Sequence, residues 1–209
     1  MKLVIATSNR GKLSEVASYL ENTGIELYSL ADFPHIPEII EDGATFLENA
    51  LIKARAVSIH TGLPALADDS GLEVDALGGQ PGVMSARFAP TTEARNTKLL
   101  DLIKDVEDEK RTARFVCALA LVRPDGFEWT VTGTCEGRIT RKPSGTSGFG
   151  YDPVFFYEPL GKTFAELPRR AKNDISHRGR ALDAFRDAVH KHGILGAGNT
   201  GEQETRAPE

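Results

Sequence analysis

The chain has 209 residues, 40% of them hydrophobic and 26% charged, with 20 glycines, 11 prolines and 2 cysteines. That is enough apolar material for a sizeable core. Cys117 and Cys135 are too few for a disulfide framework, and the longest apolar run, Phe115 to Val122, is too short to cross a bilayer. A net charge of -5 argues against a protein that grips a long nucleic-acid backbone, and the opening residues lack the apolar segment of a signal peptide, so the expected compartment is the cytoplasm. Between Arg141 and Arg180 the charge reverses locally, with eight Lys or Arg against four acids, which suits a small anionic ligand better than a polymer.

In chain order, Lys2 to Thr7 reads as a buried strand. Leu13, Val16, Ala17 and Leu20 then repeat with the period of an amphipathic helix. Thr45 and Glu48 form a capping box ahead of a second helix with a Leu47, Ala50, Leu51 and Ala54 stripe, and Gly62 is placed to cap its end. Ala65 to Ala67 leads into what reads as a polar turn, Asp68-Asp69-Ser70-Gly71, so the acids are expected at a strand end, and Leu72 to Leu77 alternates as a further strand. A third helix is expected over Thr92 to Val106. Ala113 to Val122 is apolar on both faces and reads as a central strand, followed by a turn at Pro124-Asp125-Gly126 and a returning strand that alternates from Phe127 to Glu136. A glycine-rich loop from Pro143 to Asp152 precedes a short strand at Val154 to Tyr157. The last helix spans about Ser176 to His192 and Gly193 ends it. Residues 197–209 have little to bury and are expected to be a disordered tail.

Lys12 falls in the first turn of the first helix, and His177 and Arg178 in the first turn of the last. Cations oppose the helix dipole there unless an anion intervenes, so the placement points to a phosphate, against the plainer reading of exposed bases screened by water. Thr7-Ser8-Asn9-Arg10-Gly11-Lys12 has the chemistry of a phosphate loop without being a Walker A loop, because Ala6 and Leu13 replace residues that pattern requires. Glu38, Glu41, Asp42, Asp68 and Asp69 are the acidic candidates, and oxygen ligands from separate segments suit Mg²⁺. The five histidines have no zinc-ligand spacing, and neither cysteine has the setting of a nucleophile.

Together with Thr45 to Ala50 and Lys53-Ala54, Ala67-Asp68-Asp69-Ser70-Gly71-Leu72, Gly82 to Phe88, Gly148-Phe149-Gly150-Tyr151-Asp152-Pro153, Lys172, and Ile175-Ser176-His177-Arg178, this loop resembles the inosine triphosphate pyrophosphatase family over about residues 1–192. The resemblance implies an α/β fold with an elongated mixed sheet flanked by helices, one domain over 1–196, and two lobes with the active site in the cleft between them. It also implies a homodimer that uses Mg²⁺ to hydrolyse dITP, ITP and XTP to the monophosphate and pyrophosphate, cleansing the nucleotide pool. Carried onto this chain, it gives Glu41 and Asp69 as metal ligands and Asp69 as proton acceptor, with Lys12 and Lys53 beside the triphosphate. It gives Thr7, Ser8, Asn9, Arg10, Gly11, Lys12, Ser70, Phe149, Gly150, Tyr151, Asp152, Lys172, His177 and Arg178 as substrate contacts. Many relatives have two consecutive glutamates where this chain has Ile40-Glu41, which leaves Glu38 in reserve. Two alternatives stand beside this. One is a related pyrophosphatase for dTTP, UTP or modified pyrimidines, which Ser176-His177-Arg178 argues against. The other is a nucleotide-binding module without turnover, which the acids argue against.

Overall fold

The computed structural model describes residues 1–21 and 23–196, and its apolar runs join into one mixed sheet. The strands are β1 (Lys2–Ile5), β2 (Glu26–Ser29), β3 (Ala65–Val74), β4 (Thr112–Val122), β5 (Glu128–Ile139), β6 (Phe155–Tyr157) and β7 (Lys162–Thr163). Their spatial order is β2-β1-β3-β4-β5-β6-β7. β1 is parallel to both β2 and β3, and every later pairing is antiparallel. The helices are α1 (Arg10–Tyr19), α2 (Phe46–Thr61), α3 (Thr92–Leu102), α4 (Arg169–Ile175) and α5 (His177–His192). The fold is therefore α/β, an open sheet with helices on both faces.

Period-two alternation along β3 and β4 distributes the core between those faces. Leu66, Cys117, Leu119 and Leu121 pack with α1 and α5 through Val16, Leu182 and Phe185. Ala65, Ala67, Val116, Ala118 and Ala120 pack on the opposite face against Phe46, Ala50, Ala54 and Val57 of α2. Farther along the same long strands, Leu72, Val74, Ala113, Phe115 and Cys135 join a third cluster with α3 and the residues around Phe155 and Phe164. The middle of β3 lies between these clusters, which is where Asp68, Asp69 and Ser70 fall.

Several expectations need correction. Asp68 to Gly71 is not a turn. It continues β3, paired residue for residue with Leu119 to Val116 of β4, and that ladder holds extended a segment whose composition favours a turn. The buried stripe of α2 starts at Phe46 and leaves Leu47 36% exposed, one position from the stripe read in sequence. α3 stops at Leu102 instead of Val106, though Ile103 is buried beyond it. β2 and α4 have no counterpart in the sequence reading. The capping box at Thr45 and Glu48 and the left-handed Gly62 are as expected, as are the buried thiols, which burial pushes up to about 12 at Cys117 and about 11 at Cys135. The expected tail at 197–209 lies outside the described residues.

Candidate active site

Adjacent residues of a strand face opposite ways, so β3 sends Asp68 and Asp69 to different sides of the sheet. Asp68 faces α1 and α5. Its carboxylate meets Lys12 Nζ at 2.9 Å and accepts from Arg178 Nε and Nη2 at 3.3 and 3.2 Å. Arg178 also pairs with Glu15 and donates to Ser70 Oγ at 2.8 Å. Lys172 continues the chain of charges, 2.6 Å from Asp152 and 3.6 Å from Glu15. Three cations thus meet three carboxylates, all buried or nearly so. Burial by itself would raise Asp68, but Lys12, Arg178 and Lys53 outweigh it and hold its carboxyl well below the ordinary value. Burial would likewise lower Arg178, and Asp68 and Glu15 reverse this so that its charge is locked in.

Asp69 faces α2. Asn49 Nδ2 donates to it at 3.1 Å, its neighbour's Ser70 N–H donates to the other oxygen at 3.0 Å, and Lys53 Nζ stands 3.7 Å away. Lys53 reaches Glu41 as well, at 2.6 Å, so one ammonium bridges two carboxylates. Here burial prevails over Lys53 and Lys12, and the Asp69 carboxyl is raised above its usual value. A carboxylate so raised, fixed by two donors and open to a cleft, has the character of a general base.

The glycine-rich loop forms the opposite wall. Gly148 has a φ of +79°, and a Cβ there would lie 2.0 Å from the Asp152 carboxylate, which accepts the Phe149 N–H at 2.8 Å. Phe149 is partly exposed and carries Lys172 Nζ 4.7 Å from its ring centroid. Tyr151 is buried, with its hydroxyl spent on the Ser85 carbonyl at 2.9 Å, and burial pushes it up to about 12. Ser85 in turn holds the Leu72 N–H, and the segment it belongs to passes so close to β3 that a side chain at Gly71 would strike Ser85 Oγ at 2.4 Å. His177 stacks on Phe115 at 4.8 Å and 12°, and burial together with Arg178 and Lys172 keeps the ring neutral, its pKa well below the ordinary histidine value. Its Nδ1 is buried without a partner among the described residues.

These walls enclose one cleft of about 690 Å³, within the size range of small-molecule sites. Every residue singled out from the sequence lines it except Arg10, Gly11, Asp42 and Asp68. Arg10 is exposed at the start of α1, Gly11 packs under the Phe149 ring, Asp42 is exposed just past Glu41, and Asp68 stands behind the wall. The phosphate reading of the helix N-termini is corrected in one respect: Lys12 and Arg178 already have an internal anion in Asp68, and the Gly11 and Lys12 N–H groups are capped by Asn9 Oδ1 at 2.9 and 3.2 Å. Glu15 and Phe115 escaped the sequence reading as site residues, whereas Asn49 and Arg87 fall within its motifs without a role assigned to them. Glu15 carries a usable signal, since it lies one turn beyond Lys12 on α1, whereas the others owe their place to tertiary contacts.

The chain is similar to known proteins over most of its length. A model described as the Ham1 family matches residues 3–188. A Geobacter sulfurreducens protein named dITP/XTP pyrophosphatase is 53% identical over 196 residues, covering 92% of this chain and 98% of its own. A solved HAM1 protein from Coxiella burnetii superposes with a TM-score of 0.85 at 41% identity, covering 91% of this chain and 99% of that one. A Mycobacterium abscessus structure described as a nucleoside-triphosphatase / dITP/XTP pyrophosphatase gives 0.74 at 49% identity, over 88% and 98% of the two chains.

Proposed function

The chain belongs to the Ham1 family, and from that premise we propose that it hydrolyses dITP, ITP and XTP to the nucleoside monophosphate and pyrophosphate in a Mg²⁺-dependent reaction. It is a nucleoside-triphosphate pyrophosphatase, and residues 1–196 act as one catalytic unit whose two lobes meet at the cleft. The observation that carries the reading is the split of the Asp68-Asp69 pair, which sets a buried ion network on one side of β3 and a raised, hydrogen-bonded carboxylate on the other.

Glu41 and Asp69 fit a magnesium ion in their donor chemistry. They are hard oxygen ligands from separate segments, one of them half-buried and both facing the cleft, and Mg²⁺ is commonly held by two carboxylates with substrate phosphates and waters completing its shell. Among the described residues no three His, Cys, Asp or Glu converge on a metal position, so Glu41 and Asp69 would hold the ion together with substrate phosphates. When bound, the ion neutralises phosphate charge and lowers the pKa of a coordinated water. Asp69 takes the proton of the water that attacks the α-phosphorus, held in aim by Asn49 and the Ser70 N–H. Lys12 and Lys53 meet the charge that builds on the departing pyrophosphate. Phe149 offers a face for the base, and charged Arg178 with the ring N–H of neutral His177 offers donors that a 6-keto oxygen accepts and the amino group of adenine cannot use. The enzyme works in the cytoplasm as a homodimer; among the described residues no helix is long and apolar enough to cross a membrane.

The test is a substrate panel of dITP, ITP, XTP, dGTP, dATP, dTTP and UTP with Mg²⁺, with the products separated. Selective formation of monophosphate and pyrophosphate from the first three is the expected result. Preference for pyrimidines, equal rates on all seven, or release of single phosphate would reject it.

A further inference from the structure

The cations of the cleft are not equal. Lys12, Lys53, Lys172 and Arg178 each have a carboxylate within 4 Å, and the carboxylates of these pairs outnumber them, five to four. The deficit lies wholly at the Asp69 end, where Lys53 alone faces Glu41 and Asp69. A polyanionic triphosphate entering there meets no net positive charge from the paired groups.

Two other guanidiniums line the same cleft, Arg87 and Arg95, and neither has a carboxylate within 4 Å among the described residues. Arg95 is turned to the Ala89 carbonyl at 3.0 Å. Arg87, the last residue of the short 3₁₀ segment Gly82–Arg87, stands at the acidic end, where one Nη donates to the main-chain carbonyl of Glu41 at 3.2 Å. That single bond fixes the direction of the head beside a carboxylate-bearing loop and leaves the rest of the fork free. A planar fork with unused donors and an uncompensated charge matches phosphate oxygens.

We propose that Arg87 is a catalytic residue that binds the distal phosphates of the substrate and carries the charge of the departing pyrophosphate. The inference rests on the triphosphate-hydrolysis reading above and deepens it, since that reading gives the leaving group only lysines that are already paired. Arg87 is exposed and its side chain has one hydrogen bond among the described residues, so its replacement leaves the fold intact.

The experiment is calorimetric titration of inorganic pyrophosphate, at saturating Mg²⁺, into the wild-type chain, Arg87→Gln and Arg87→Lys, alongside kcat for dITP. Arg87→Gln is expected to bind pyrophosphate about tenfold or more weakly and to lose about 10- to 100-fold in kcat, with Arg87→Lys between, and with dIMP affinity unchanged. An arginine that only tethered the Glu41 loop would shift the Mg²⁺ requirement and leave pyrophosphate affinity at saturating metal untouched. Wild-type pyrophosphate affinity in Arg87→Gln therefore overturns the inference, as does a wild-type chain that binds no pyrophosphate. If the wild type binds pyrophosphate through Arg87 but turns over none of dITP, ITP or XTP, the proposed function fails and the Arg87 contact stands.

Discussion

The two faces of β3 carry neighbouring aspartates under opposite electrostatic conditions. On the Asp68 face, three cations and three carboxylates are matched, with side chains only 3% to 15% exposed. On the Asp69 face one lysine serves two carboxylates, and exposure rises to 30% at Glu41. A matched, dry network is costly to break and carries no net charge, so it builds a rigid floor for binding. An unmatched, partly wet pair has a surplus negative charge to offer a divalent ion and a proton. Neighbouring residues of one strand thus acquire different work through nothing more than the alternation of the backbone.

The largest effect that sharpens this contrast belongs to Asp69→Asn, which should lower kcat by about 100-fold or more while leaving dIMP affinity and melting temperature near wild type. Steady-state kinetics with a dIMP titration checks both halves. Asp68→Asn should do the reverse in kind. It removes the carboxylate that Lys12 and Arg178 share, and a urea denaturation curve should show a loss of about 3–5 kcal/mol. An Asp68→Asn chain of normal stability would break the comparison.

Glu41→Gln should raise the Mg²⁺ concentration for half-maximal rate by about tenfold or more, with a near-normal rate at saturation, whereas Glu38→Gln should not; a metal titration of both variants decides which acid serves. The smallest effect is in pH. The base must be the carboxylate, and burial raises its pKa, so activity is present above that raised value and is lost as pH falls through it. The acid limb of kcat/KM should therefore lie above the ordinary carboxylate pKa of about 4. Asp68, held low, contributes no such limb in that range.

What the sequence made legible was whatever short-range chemistry decides. The Thr45-Glu48 box and Gly62 delimit α2 because caps act within one turn, and the alternation of Phe127 to Cys135 exposes the period of β5 directly. Asp68 to Gly71 misled because local composition favours a turn, while the pairing that holds it straight comes from Leu119 to Val116, about fifty residues away. β2 is four residues with no apolar alternation, stabilised by its parallel register to β1, and α4 has seven residues, too few to display a helical period. At the site, most polar cleft-lining residues fall within motifs whose composition already suggested phosphate and metal chemistry. The pairings that give them character are not legible there: Glu15 under Arg178, Asn49 on Asp69 and Arg87 at the Glu41 loop are joined only by folding.

The most direct measurement is hydrolysis of dITP in ¹⁸O-labelled water, with mass analysis of both products from the wild type and from Asp69→Asn. Water aimed from the Asp69 face at the α-phosphorus places the label in dIMP and none in pyrophosphate, and Asp69→Asn forms labelled dIMP at a rate lower by orders of magnitude. Label in the pyrophosphate, or undiminished labelling of dIMP by Asp69→Asn, would contradict the assignment of chemistry to that face.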